Sequence, residues 1–485
     1  MSKFFRLLAP TVVAVSGTFF LSPALAAAST ADDDSGESVE AQSPEGGFQF
    51  GSYGRTQFQL SADGNRGAAP NVVSQGPRLF QEDYAEFDLR YDLERDEGLN
   101  ATVLFTFALF GPFAHYDGDF ANQSMAVRNL YAEVDQIAAP IDDLSLWVGS
   151  RMYRGDDVYL LDFWPLDELN TVGGGAAYQL GDLNARVHAG VNRLDDRYQW
   201  QIIEVPADTV GTRSRVVLDR QRFLGSGRLE YNMAELFGDF GAKAVVYGEV
   251  HRLPEGERIP SEFLENNTPT LPEDQVIESI PGDSGFVLGT QLGLYESGAA
   301  NHVNLFFRWA RDLAAYGELG VPFGVGRDGT AQGAQRITAA LSANWETHRF
   351  GVMAGGYVSQ FTDAHTDVDS VHEFVEGAAV VRPAIFVTDH FHQAFEVSFQ
   401  QRYPYGLDPA TGRHHTPTVW QFSVLEVLSF GRGNYERPQL RLGYTLSLAD
   451  EDAQQAFPIG DQRRPNSVEH IFSVGAEWWF NSSTY

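Results

Sequence analysis

The chain has 485 residues and a formal net charge of −31, with 65 Asp and Glu against 34 Lys and Arg. That charge argues against a nucleic-acid partner, because a phosphate backbone is bound through basic patches. The absence of Cys excludes a disulfide framework, thiolate metal sites and a cysteine nucleophile, and an aromatic content of 13% excludes a disordered acidic chain.

Lys3 and Arg6 precede an apolar run from Leu7 to Leu21, which Pro23 breaks. Ala24-Leu25-Ala26 fits the small-x-small cleavage rule, so residues 1–26 read as a signal peptide and the mature chain as exported. Residues 27–46 are small and acidic, with Asp32, Asp33, Asp34, Glu37 and Glu40, and read as a flexible leader. No later run is long and apolar enough for a membrane helix. A membrane-spanning form would therefore have to be a closed β-barrel, since lipid satisfies no backbone hydrogen bonds.

From Phe48 the chain keeps one character, so residues 47–485 read as a single domain. Segments of about ten residues alternate apolar and polar, the signature of barrel strands. In Tyr84–Leu93, Ala85, Phe87, Leu89, Tyr91 and Leu93 stand against Tyr84, Glu86, Asp88, Arg90 and Asp92. Val303, Leu305, Phe307 and Trp309 stand against His302, Asn304, Phe306 and Arg308. In Gln439–Leu448 the even positions are Leu440, Leu442, Tyr444, Leu446 and Leu448, and the odd ones are polar or small. Ionisable residues on one parity suit a wet lumen, and Leu, Phe, Tyr and Trp on the other suit lipid. The segments between strands alternate in length, long ones including His251–Gly285 and Gly317–Gly333. The last strand places Phe472, Val474, Ala476, Trp478 and Phe480 against Ser473, Gly475, Glu477 and Trp479. Either Phe480 or Tyr485 supplies its terminal aromatic.

Enzyme-like motifs dissolve in this context. Gly324-Val325-Gly326-Arg327-Asp328-Gly329 spells a dinucleotide fingerprint, but it follows Pro322 and lies between amphipathic strands, so it reads as a loop. His390, His392, His414 and His415 lack metal-ligand spacing. Acid pairs such as Asp156/Asp157 and Glu451/Asp452 are expected by chance among 65 acids. No cofactor, metal or catalytic group is called for.

One block is more specific: Trp147-Val148-Gly149-Ser150-Arg151-Met152-Tyr153-Arg154-Gly155-Asp156-Asp157-Val158, then Asp162-Phe163-Trp164 and the turn Gly173-Gly174-Gly175-Ala176. It resembles the W-x-G-x-R-x-Y…D-V…D-F block of the maltoporin family of carbohydrate porins. Phe48–Arg55, Tyr84–Phe87, Glu436–Arg441 and Phe472–Phe480 resemble that family's first, second and final segments. The resemblance implies an all-β, antiparallel transmembrane barrel of roughly 18 strands, wide enough to leave an aqueous channel. It also implies a homotrimer in the bacterial outer membrane that passes sugars without catalysis. In this family sugars slide along an aromatic path while charged residues exchange hydrogen bonds with their hydroxyls. Matched residue by residue, the aromatic path comprises Tyr53, Tyr84 and Trp479, and the polar track Arg55, Glu86, Arg128 and Asp162. Tyr84 and Trp479 also fall on polar parities of their strands, independently of the match. The chain departs from the family at Gly155, where a constriction arginine is expected, while the adjacent Arg154 is expected to face away from the lumen. It departs again at Trp164, in place of a tyrosine, and at His302, in place of a central aromatic. Two rivals remain: a general cation-preferring porin, selective by charge alone, and a secreted β-rich glycosidase.

Overall fold

The structure, a computed structural model, describes residues 47–482 except 69, 81, 94–98, 112–123, 138–142, 208–209, 261–276, 365–371 and 409–410. The signal peptide and leader expected over residues 1–46, and the terminal role considered for Tyr485, lie outside the described residues.

A period of two puts successive side chains on opposite faces of a strand, and each alternating segment is a strand. The chain forms β1 (Phe48–Ser61), β2 (Tyr84–Leu93), β3 (Asn100–Phe110), β4 (Ser124–Asp135), β5 (Leu144–Arg154), β6 (Glu168–Leu180) and β7 (Leu183–Asn192). A hairpin of β8 (Trp200–Pro206) and β9 (Thr212–Asp219) follows. Next come β10 (Arg222–Phe237), β11 (Phe240–Leu253) and the short pair β12 (Gly256–Arg258) and β13 (Glu278–Ile280). Then follow β14 (Asp283–Glu296), β15 (His302–Asp312), β16 (Gln335–Glu346), β17 (Phe350–Thr362) and β18 (Phe374–Phe386). The chain ends through β19 (Phe391–Pro404), β20 (Thr418–Ser429), β21 (Gln439–Ala449) and β22 (Val468–Phe480). All but the β8–β9 and β12–β13 pairs belong to one 18-stranded sheet. Its first and last strands pair antiparallel from Ser52↔Phe480 to Ser61↔Ile471, so the sheet closes on itself and has no edge. The expected antiparallel barrel is borne out.

The burial pattern says what surrounds it. Leu442 is 57% exposed, whereas Thr445 of the same strand is 1% exposed. Phe307 and Leu305 are likewise exposed, and Asn344 and Gln291 buried. A soluble enzyme would bury the apolar parity; here that parity faces outward on strand after strand, as lipid requires.

Two of the long connections fold into the barrel. Segment 62–83 packs Leu79 on Ala384, Phe386, Leu425 and Val427 of β18 and β20. Segment 155–167 joins Tyr53 and Tyr84, through Val158, Tyr159, Leu160, Leu161 and Leu166, to Tyr247, Phe306, Met353, Tyr357 and Val380. Those partners lie on β11, β15, β17 and β18, across the ring from β1 and β2. The segment therefore spans the lumen and narrows it. The far wall makes room at Gly355, where a Cβ would stand 2.8 Å from Val158 Cγ1. Residues 324–329 lie in the connection before β16, the loop expected of them.

Candidate functional site

The closing seam of the barrel builds the site. Antiparallel register sets Tyr53 against Trp479 and Arg55 against Glu477 across β1–β22. It sets Tyr53 against Glu86 and Arg55 against Tyr84 across β1–β2. The Tyr53 ring lies 6.5 Å from Trp479 at 19° and 5.8 Å from Tyr84 at 50°. These three aromatics form one ladder, at centroid spacings where offset rings attract.

The charged residues flank it. Arg55 donates from Nη1 to the Tyr53 hydroxyl (3.3 Å) and to Asp162 Oδ2 (3.4 Å), and from Nε to the Glu82 carbonyl (3.1 Å). Asp162 follows the short helical turn Tyr159–Leu161 with φ 53° and ψ 49°, a left-handed conformation that aspartate tolerates. Arg128 is the extra residue of a bulge: Asn129 pairs with Thr106 and Val127 with Phe107, so Arg128 has no partner in the β3–β4 register. Bulges re-aim side chains, and this one brings Arg128 Nε 4.0 Å from Glu86 Oε1, with its guanidinium 5.9 Å from the Tyr84 ring. The Tyr84 hydroxyl donates to Glu86. All seven matched residues thus converge inside the barrel.

They are packed rather than open. Tyr53 and Tyr84 are 0% exposed and Glu86 1%. Only Trp479 is partly buried, and the Arg437 guanidinium lies 4.1 Å over its ring.

Sequence matching missed the electrostatic centre. Glu477 accepts from the hydroxyls of Tyr53 (3.2 Å) and Tyr159 (3.0 Å). Arg437 pairs with it at 2.8 Å, and Arg78 and Arg441 pair with it as well. The Arg78 guanidinium also sits 4.6 Å over the Tyr159 ring. Glu477 and Arg441 stand on lumenal parities and could have been found that way. Arg78 and Tyr159 lie on the inward segments, which no strand periodicity reaches.

The departures from the family pattern have local explanations, one of which is a correction. Arg154 does not face away: it is 5% exposed, donates to Glu168 Oε1 at 3.0 Å and lies 4.1 Å over the Trp164 ring. At Gly155 any Cβ would collide with the Asp167 carboxylate and the Arg228 guanidinium. Arg228, from β10, holds Asp167 at 2.9 Å and fills the place a side chain at 155 would take. His302 packs 6.1 Å from Tyr435, which is 5.4 Å from Tyr159, so an aromatic from the 430–438 turn stands beside it.

The chain matches the LamB porin family over residues 48–480. It is 23% identical over 452 residues to the maltoporin of Vibrio cholerae serotype O1 El Tor Inaba N16961, covering 89% of this chain and 94% of that protein. The maltoporin of the Classical Ogawa 395 strain matches at 23% identity, with 89% and 93% covered. Among solved structures, Pseudomonas aeruginosa OpdK with vanillate aligns at 11% identity and a TM-score of 0.41, covering 89% of this chain and 98% of that one. With a family match running from the first barrel strand to the last, this chain belongs to the LamB porin family and is an outer-membrane porin.

Proposed function

We propose that this porin is a passive channel for carbohydrates of the maltooligosaccharide type, exported by the signal peptide 1–26 and assembled as a homotrimer. The observation that carries the reading is the convergence of Tyr53, Tyr84 and Trp479 with Arg55, Glu86, Arg128 and Asp162 in one lumenal cluster. A pyranose has an apolar face that an aromatic ring matches, and hydroxyls that ionised groups bind more strongly than neutral ones do. Many weak contacts in series let a solute enter and leave. A sugar reaches the ladder at Trp479, displacing the Arg437 guanidinium from its ring.

The net charge of −31 favours a second reading, a general cation-preferring porin. Planar-bilayer conductance titrated with linear maltooligosaccharides and with sucrose separates the two. Saturable block that strengthens with oligosaccharide length supports the sugar channel. Conductance indifferent to every sugar, with preference for cations, leaves the general porin.

A further inference from the structure

Beside the aromatic ladder, β1, β20, β21, β22 and the inward segment 62–83 enclose a cavity. Arg55, Arg78, Arg441, Gln57, Ser473 and Glu477 give it its polar lining. Glycine thins the wall there at Gly475. Gly475 faces Arg441 across β21–β22 and Gln57 across β1–β22, and Gly443 faces Ser473.

The charges at this cavity do not balance. Glu477 serves Arg78, Arg437 and Arg441, and Asp162 serves Arg55. Asp83, behind the lining, accepts from the Thr56 hydroxyl and the Gln57 amide. Of the described residues that line the cavity, three carry guanidiniums, Arg55, Arg78 and Arg441, and one, Glu477, a carboxylate. This local cationic surplus runs against a net charge of −31 for the whole chain. Guanidinium forks match carboxylate and phosphate oxygens two at a time, and low-dielectric walls concentrate their field. Arg441, whose side chain is 18% exposed, is the fork nearest the open lumen.

We propose that this cavity is a subsite for an oxyanion carried on a sugar, so that the solutes of the channel include acidic saccharides, either uronates or sugar phosphates. The proposal rests on the sugar-channel reading above. A free inorganic oxyanion presents the same chemistry, and the test separates the two sources. Block of single-channel current by the full-length trimer is titrated with glucose, glucuronate, glucose 6-phosphate and inorganic phosphate in one salt. Glucuronate and glucose 6-phosphate should half-block at concentrations roughly tenfold below glucose, the lower end of what a hydrogen bond to a charged group contributes. Inorganic phosphate should compete with both. Arg441→Gln should pull the ratio of glucose to glucose 6-phosphate toward one, and Arg441→Lys should restore part of it. Should Arg441→Gln not fold, the wild-type ratio carries the test alone. Equal block by glucose and glucose 6-phosphate overturns the proposal and leaves the sugar channel standing. Block by phosphate without any preference for the acidic sugars overturns it in favour of a free-ion site. Loss of all sugar block overturns the sugar-channel reading itself.

Discussion

Glu477 shows how one residue organises the site. Arg78, Arg437 and Arg441 share its carboxylate, and two tyrosine hydroxyls donate to it. Removing one partner of a buried ion cluster leaves uncompensated charge, a loss of about 3–5 kcal/mol. Glu477→Gln should therefore lower the temperature at which the folded band collapses on SDS gels, and Glu477→Asp, which keeps the charge, should lower it less. Equal effects of the two would mean that packing, not charge, holds this cluster. Trp479 belongs to a different class. It ends the ladder, partly exposed, so Trp479→Ala should spare folding while removing a stack of about 0.5–1.5 kcal/mol. That amounts to a roughly 2- to 12-fold higher half-saturation concentration for maltooligosaccharide block. Small-ion conductance should stay equal or rise. Unchanged block in the folded variant would remove Trp479 from the sugar path.

The strand β15 carries the inside–outside rule in adjacent residues. Phe307, at its midpoint, is 46% exposed, while Arg308 is half-buried on the lumenal side. Placing a charge at mid-bilayer on the lipid face costs about 2–4 kcal/mol, whereas lumenal changes tune selectivity. Phe307→Arg should therefore impair folding into liposomes, measured by the heat-sensitive gel shift, and Arg308→Ser should fold like the native chain. Equal folding yields would refute the parity. At this scale the strands were legible because period two is a local property: the parities read for Tyr84–Leu93, His302–Trp309 and Gln439–Leu448 are those observed. The inward segments were not. Val158, Leu160 and Leu79 are apolar residues in connections, and nothing in their spacing says that they cross a lumen to pack on Gly355 or Phe386. Arg128 was reached only by resemblance, because a bulge breaks the alternation that would have placed it. Arg154 was misplaced for a related reason: strict parity fails where a strand gives way to an inward segment.

At the scale of the whole molecule, closure is the decisive step. An open sheet in lipid would leave two rows of unpaired amides and carbonyls, each costing several kcal/mol. Here β22 covers both exposed edges at once, pairing with β1 on one side and β21 on the other. The pairing with β1 begins at Phe480, opposite Ser52, and the Phe480 ring lies 6.0 Å from Phe50. Among the described residues, Phe480 is the aromatic at the end of the closing pairing. Ending the chain after Phe480 should give the native yield of heat-modifiable barrel in refolding and in cells. Removing residues 468–485 instead uncovers β1 and β21 together. It should abolish that barrel and leave aggregate, because unpaired edges recruit other chains. The measurement is the fraction of protein in the folded gel band for both truncations, refolded side by side in the same detergent. If the chain ending at Phe480 failed to fold, the terminal residues would hold an assembly role that strand pairing does not account for.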